Sequence, residues 1–101
     1  MKYNKLIRDK ALEYIKQKGG VPIFHIANND EYWQKLKEKL LEEVGEYLND
    51  DTSIREIADI LEVIDAICEH RKFSQEEVRI IKEKKAQELG KFKEKIILDE
   101  S

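Results

Sequence analysis

Two Ser-x-x-Glu segments constrain the fold more than any other feature of this sequence. Ser53 with Glu56, and Ser74 with Glu77, each match the capping box, in which the serine hydroxyl accepts a backbone N–H of the first helical turn. After each box, apolar residues recur every three or four positions, which is the repeat of one helix face. We therefore predict a third and a fourth helix over about 53–69 and 74–90.

The N-terminal half contains two further segments with helical spacing. Apolar residues follow that spacing from Leu6 to Lys18, and Gly19-Gly20 supplies a stop. Asn29 or Asp30 can cap another helix, which extends to about Leu48. Together with the two capped segments, this predicts four helices.

Two other segments have the character of strands. "VPIFHIA" (residues 21–27) is β-branched and apolar, and its Pro22 suits an edge strand. The tail "KFKEKIILDE" has a mixed pattern and can pair with it. The predicted fold is an all-α four-helix bundle, to which these segments can add a small two-stranded β ribbon.

Length and composition limit the class of protein. A chain of 101 residues fits one domain, spanning 1–101. The net charge is −3 with 41% charged residues interspersed, which indicates neither a nucleic-acid nor a membrane partner. There is no apolar run of membrane length and no secretory signal pattern, so we expect a cytoplasmic protein. Cys68 is the only cysteine, so any metal must be held by oxygen or imidazole.

Acidic residues cluster in the middle of the chain. Glu42, Glu43 and Glu46 share one face of the second predicted helix, a pattern that is also typical of an ordinary solvated surface. On the third helix Glu56 lies inside the apolar arc, and Asp59 lies on its margin. The capping box is an alternative role for Glu56, and a salt bridge to a basic side chain is one for Asp59.

The two helices are joined by a short turn, so their acidic pairs can face each other. Four carboxylates without cations would repel, whereas Mg²⁺ prefers oxygen ligands and is commonly completed by substrate phosphates. This chemistry suits hydrolysis of a phosphoanhydride.

These acids also carry a resemblance to a known family. The pattern E-E-x-x-E followed by E-x-x-D resembles the motif of the MazG-type all-α nucleoside triphosphate pyrophosphohydrolases. The segments "YNKLIRDK", "EIADILEVIDAI" and "KKAQELGKFKEKIIL" look like the small house-cleaning branch of that family, which opens with a K-L-V-R-D-K-type segment and is also called phosphoribosyl-ATP pyrophosphohydrolase-like.

The resemblance implies Mg²⁺-dependent cleavage between the α- and β-phosphates of a nucleotide, with Mn²⁺ as a possible substitute. It implies a set of metal ligands: Glu43, Glu46, Glu56 and Asp59. Glu42 and Glu43 would be the catalytic acids, with Glu42 orienting or deprotonating the attacking water. Three basic residues would face the phosphates: Lys5, Arg8 and Lys10. Lys5 and Arg8 are expected one helical turn apart.

The resemblance also implies a homodimer or higher homo-oligomer. Two alternatives stay open, namely phosphoribosyl-ATP pyrophosphohydrolase activity and a non-catalytic module that binds nucleotides or helices. The segment Leu89-Gly90-Lys91-Phe92 departs from an R-G-G-F pattern of the branch and loses an arginine, which affects specificity or activity if that arginine touches substrate.

Overall fold

The structure is a computed structural model that describes residues 3–101. It contains four helices and, within the described residues, no strand, so the predicted all-α class is confirmed. The helices are α1 (Ala11–Gln17), α2 (Asn29–Asn49), α3 (Ile54–Arg71) and α4 (Gln75–Leu89).

Serine and asparagine side chains begin the three long helices. The hydroxyls of Ser53 and Ser74 accept the backbone N–H groups three residues ahead, as both Ser-x-x-Glu segments predict. Helix α2 is capped by Asn28, whose side chain accepts from the Glu31 N–H at 2.9 Å. The cap thus lies one residue before the predicted Asn29 or Asp30. Asn28 is the residue with extended backbone, which an N-cap requires.

Helices α2 and α3 form the principal helix packing of the molecule. A four-residue turn over 50–53 joins them and returns α3 along α2. Leu36 is 1% exposed, and Val63 and Cys68 are also buried. Burial of a leucine side chain contributes roughly 1.5–3 kcal/mol, so this seam anchors the pair.

The first helix begins later than predicted. It starts at Ala11 rather than Leu6, and residues 4–8 are not helical. Lys35 Nζ donates to the Asn4 carbonyl at 2.9 Å, and Arg8 reaches Asp59 on α3. These contacts hold the N-terminal segment (residues 4–10) beside α2 and α3, so the expectation that Lys5 and Arg8 lie one helical turn apart is wrong.

The predicted β ribbon is also wrong, because neither the segment 21–27 nor the tail 91–101 contains a strand. Ile23 is 99% exposed and His25 bonds to Glu31 of α2. An isolated two-stranded ribbon is marginal in water, and β-branched composition alone does not supply a third strand or a covering helix.

The chain is more extended than its length requires. Its radius of gyration is 17.8 Å, whereas a compact chain of this length has about 13 Å. Its accessible surface is 9659 Å², against roughly 6,000 Å² for a compact monomer of this mass. Much apolar surface therefore remains uncovered within one copy.

None of the helices within residues 3–101 combines the length and the apolar character needed to cross a membrane.

Candidate metal centre

Three carboxylates converge where α2 and α3 approach the turn. Glu43 comes from the second half of α2, and Glu56 and Asp59 come from the first two turns of α3. One oxygen of each lies within 4.8 Å of the others. Of the two acids of α2 that were predicted to face Glu56 and Asp59, Glu43 joins them, whereas Glu46 groups with Glu42 and Glu43 on α2.

The cluster is not an ordinary wet surface. Glu43 is only 7% exposed, and its Oε2 atom is buried with no hydrogen-bond partner among the described residues. Glu56 Oε2 is in the same condition. A buried carboxylate oxygen without a partner is costly, so a proton or a cation is needed to compensate it. The residues present thus fit a hard divalent cation, which takes carboxylate oxygens as ligands.

The electrostatics of Glu56 agree with that geometry. Burial raises the pKa of Glu56, and the negative charge of Glu46 and the contact with the Glu43 carboxyl raise it further. The charge of Asp59 acts in the same direction. Negative charge is therefore in excess at this point of the α2–α3 pair.

The alternative role for Glu56, as the returning half of a capping box, is not formed. The Ser53 hydroxyl accepts the Glu56 backbone N–H at 3.3 Å, as the box requires. The Ser53 backbone N–H, however, donates to the Asp50 carbonyl at 3.2 Å. The Glu56 side chain is thus left to the acidic cluster.

The three acids of α2 differ from one another. Glu46 is exposed, Glu42 is half-buried and Glu43 is buried, although all three are neighbours on the helix. They form a second group of carboxylates within 4.8 Å, and Glu43 belongs to both groups. Glu43 would therefore be a ligand common to both groups if each held a cation.

Glu42 lies between two lysines. Its Oε1 accepts from Lys5 Nζ at 3.0 Å and its Oε2 from Lys39 Nζ at 3.1 Å. Burial acts to raise the pKa of Glu42, but the hydrogen bonds from these lysines outweigh it, so that the pKa is lowered overall. Glu42 is consequently a weak proton acceptor.

Lys39 is a site residue that the sequence interpretation missed. Besides Glu42, its ammonium reaches Glu43 Oε1 at 3.5 Å, and its side chain is largely buried. It therefore pairs with one oxygen of Glu43 and leaves the other, Oε2, without a partner among the described residues. The available signal was its position three and four residues before two of the acids, which is the spacing of helical ion pairs.

The N-terminal segment brings two of the three predicted basic residues to the acids. Lys5 reaches Glu42, and Arg8 Nη2 lies 2.8 Å from Asp59 Oδ1. The salt bridge weighed as an alternative for Asp59 is thus present. Lys10 is exposed at the start of α1, and within residues 3–101 no ion pair joins it to the cluster.

The divergent C-terminal segment lies apart from these contacts. Residues 89–92 end α4 and enter the tail, where Gly90 has a φ of 79°. Phe92 is almost fully exposed. In the described part of the chain, no hydrogen bond or ion pair connects this segment with the acids.

Comparison with known proteins gives a curated relative that matches over part of the chain. An uncharacterized protein of Mycolicibacterium smegmatis is 43% identical over 47 residues, which are 46% of this chain and 48% of the relative. The chain therefore spans about half the length of that relative. No family model matches the chain, and no solved structure matches it. The class that the fold and the cluster define is an all-α protein with a carboxylate site between two helices.

Proposed function

We propose that this protein is a Mg²⁺-dependent nucleotide pyrophosphohydrolase, which cleaves the α–β phosphoanhydride of a nucleoside triphosphate to the monophosphate and pyrophosphate. One observation carries the proposal: the cluster of Glu43, Glu56 and Asp59 holds two buried carboxylate oxygens without partners. The resemblance to the MazG-type motif at the same residues supports it. Mn²⁺ is a second cation that the same oxygen ligands accept.

The five acids of the motif have distinct positions for this task. Glu43, Glu56 and Asp59 would hold a cation, and Glu46 would complete the second group through the shared Glu43. When bound, the cation neutralises charge on the phosphates and lowers the pKa of water. Glu42, whose pKa is lowered by its lysines, is better suited to orienting water than to removing its proton.

The reaction is a hydrolysis and needs no other reactant. Water supplies an oxygen to one phosphorus of the anhydride, the bridging P–O bond breaks, and the proton lost from water passes to solvent. Lys5 and Arg8 lie at the acidic cluster and carry the positive charge that favours a polyphosphate there. Lys10 lies farther along the same segment and has the weaker case for a phosphate contact.

The test is pyrophosphate release from canonical and damaged nucleoside triphosphates and from phosphoribosyl-ATP, in Mg²⁺ or in EDTA. We expect release in Mg²⁺ only, and its loss in Glu43→Gln and in Asp59→Asn. Glu88→Gln is the matched control, because Glu88 is an exposed acid on α4. Release that survives EDTA, or that persists in both cluster variants, would remove the carboxylates from the mechanism.

We further propose that a second copy of the chain is the protein partner. Exposed aliphatic side chains line α3 at helical spacing, and two more lie on α2: Ile54, Ile57, Leu61, Ile64, Leu41 and Leu48. By helical geometry both sets lie on the side of the α2–α3 pair away from the N-terminal segment. The accessible surface exceeds that of a compact monomer by about 3,700 Å², and a standard interface buries about 1,600 Å². Packing two such faces would close a bundle of four long helices.

A further inference from the structure

We propose that Arg8 is exchanged between two anionic partners at the acidic cluster. Its guanidinium pairs with Asp59 in the structure, and a divalent cation that binds Asp59 would release it to bind a phosphate group. The inference rests on the proposed metal centre. It adds an order of binding, in which the cation precedes the phosphate.

The observed ion pair is the starting point. Arg8 Nη2 lies 2.8 Å from Asp59 Oδ1, and the same carboxylate group is one of the three that converge within 4.8 Å. A guanidinium and a divalent cation are both positive, so they repel each other when both contact one carboxylate. Arg8 thus acts as an internal counter-ion for Asp59.

Asp59 is the cluster residue for which exchange is simplest. Glu42 is paired with both Lys5 and Lys39, so loss of one lysine leaves the other in place. Asp59 has one ion pair among the described residues, and it is the pair with Arg8. A cation that takes Asp59 therefore leaves Arg8 without its anion.

The released side chain remains at the site. The Asn4 carbonyl accepts from Lys35 of α2, which fixes the segment that carries Arg8. The Arg8 side chain is 63% exposed, so it can leave Asp59 without unpacking a core. An arginine fork binds phosphate oxygens bidentately, which makes a phosphate its natural second partner.

A second observation ties the cluster to a cation independently of Arg8. Glu43 is more than nine-tenths buried, and its Oε2 has no hydrogen-bond partner within residues 3–101. Arg8 pairs with Asp59 and Lys39 pairs with the other Glu43 oxygen, Oε1, so Oε2 still lacks a partner when both pairs are formed. These ion pairs consequently neutralise only part of the negative charge of the cluster.

The experiment is calorimetric titration of the full chain with Mn²⁺, followed by titration of inorganic phosphate with and without saturating Mg²⁺. Arg8→Ala is the test variant, and Arg8→Lys keeps the charge. Arg79→Ala is the control, because Arg79 makes comparable ion pairs with Glu76 and Glu83 on α4.

We expect Arg8→Ala to bind Mn²⁺ alone about two- to five-fold more tightly, the size of one exposed ion pair. Arg8→Lys and Arg79→Ala should remain within twofold of the native chain, by the same scale. Mg²⁺ should strengthen phosphate binding in the native chain and much less in Arg8→Ala, because that variant lacks the guanidinium that the cation would release.

Two other results separate the ways in which the inference can fail. If the native chain binds Mn²⁺ and Arg8→Ala binds it no more tightly, the exchange is wrong and the metal centre stands. If the native chain binds no Mn²⁺ at all, the metal centre and the exchange fail together.

Discussion

The Glu56 backbone N–H donates to the Ser53 hydroxyl at 3.3 Å, while the Glu56 carboxyl belongs to the acidic cluster with Glu43. The backbone and the side chain of Glu56 thus have separate roles. The backbone N–H helps to start α3, and the carboxyl adds negative charge between the two helices. The Ser53 N–H, which a complete capping box would give to Glu56, donates to Asp50 instead. The helix start is therefore independent of the Glu56 carboxyl, and the two can be tested by separate substitutions.

Replacement of the Glu56 charge should stabilise the cation-free protein at neutral pH. The folded-state pKa of Glu56 is raised, so the folded state holds this proton more tightly than the unfolded chain. The stabilisation that this bound proton gives the folded state is complete below the pKa of Glu56 in the unfolded chain. It is lost as pH rises through the raised pKa of the folded state. In EDTA at pH 7, Glu56→Gln should have a higher Tm than the native chain, and the difference should shrink toward pH 4.5.

The control for this substitution is Glu88→Gln, an exposed acid on α4 that should leave Tm nearly unchanged. An equal Tm for Glu56→Gln and the native chain at pH 7 would mean that the charge of Glu56 does not destabilise the folded state. A gain that is as large at pH 4.5 as at pH 7 would assign the effect to something other than the charge.

Loss of the Ser53 cap should destabilise the α2–α3 pair by about 1 kcal/mol, the usual cost of replacing an N-cap serine by alanine. Trp33 is the only tryptophan and lies on α2, so its fluorescence follows unfolding of this pair in urea. Ser74→Ala removes an equivalent cap from α4, which is not part of the principal packing, and should change the Trp33 transition less. Equal effects of both variants would show that α4 unfolds together with the pair.

The sequence predicts the starts of α3 and α4 well, but not the start of α1, because the first two depend on local contacts and the third on contacts between distant residues. Ser53 and Ser74 act within three residues, so their effect is visible in the local sequence. The start of α1 is instead decided by long-range contacts, namely Lys35 with Asn4 and Arg8 with Asp59. No local pattern near Leu6 records those partners.

The same distinction applies to the site. Helical spacing indicates that Glu42, Glu43 and Glu46 are neighbours. Only Glu43 is buried, however, and this depends on where α3 packs against α2. Lys39 was recognisable from its spacing to the acids, yet many surface helices carry such pairs. Only the contact at 3.5 Å with a buried carboxylate makes it part of the cluster.

Truncation of the central core residue should be severe. Leu36 is 1% exposed at the α2–α3 seam, and Leu→Ala at such a position costs about 2–5 kcal/mol. Because small domains have only about 5–15 kcal/mol of stability, Leu36→Ala should be partly unfolded at 37 °C by circular dichroism. Leu89→Ala, at the exposed end of α4, should lie within about 0.5 kcal/mol of the native chain. A loss of stability well below that range in Leu36→Ala would mean that the main core lies elsewhere in the chain.

A charge on the exposed aliphatic face of α3 should prevent self-association. Leu61 lies in the middle of that face, and Leu61→Glu would place an unpaired carboxylate in the interface of the proposed dimer. In sedimentation at micromolar concentration, the native chain should be a dimer or larger and Leu61→Glu a monomer. Ile23→Glu is the control, because Ile23 is exposed on the non-helical segment after α1. A monomeric native chain, or a Leu61→Glu variant that remains dimeric, would contradict the proposed face.

Binding of a divalent cation should stabilise the native chain through the same carboxylates that repel one another without it. A ligand that binds only the folded state adds about 2.7 kcal/mol at one hundred times its Kd, so saturating Mg²⁺ should raise Tm by several degrees. Glu43→Gln removes the buried ligand common to both carboxylate groups and should lose most of that increase. Glu88→Gln should retain it, since that acid lies on α4. Because only folding is measured, this experiment tests the proposed metal centre independently of the proposed hydrolysis. An equal increase in Glu43→Gln would place cation binding elsewhere on the chain.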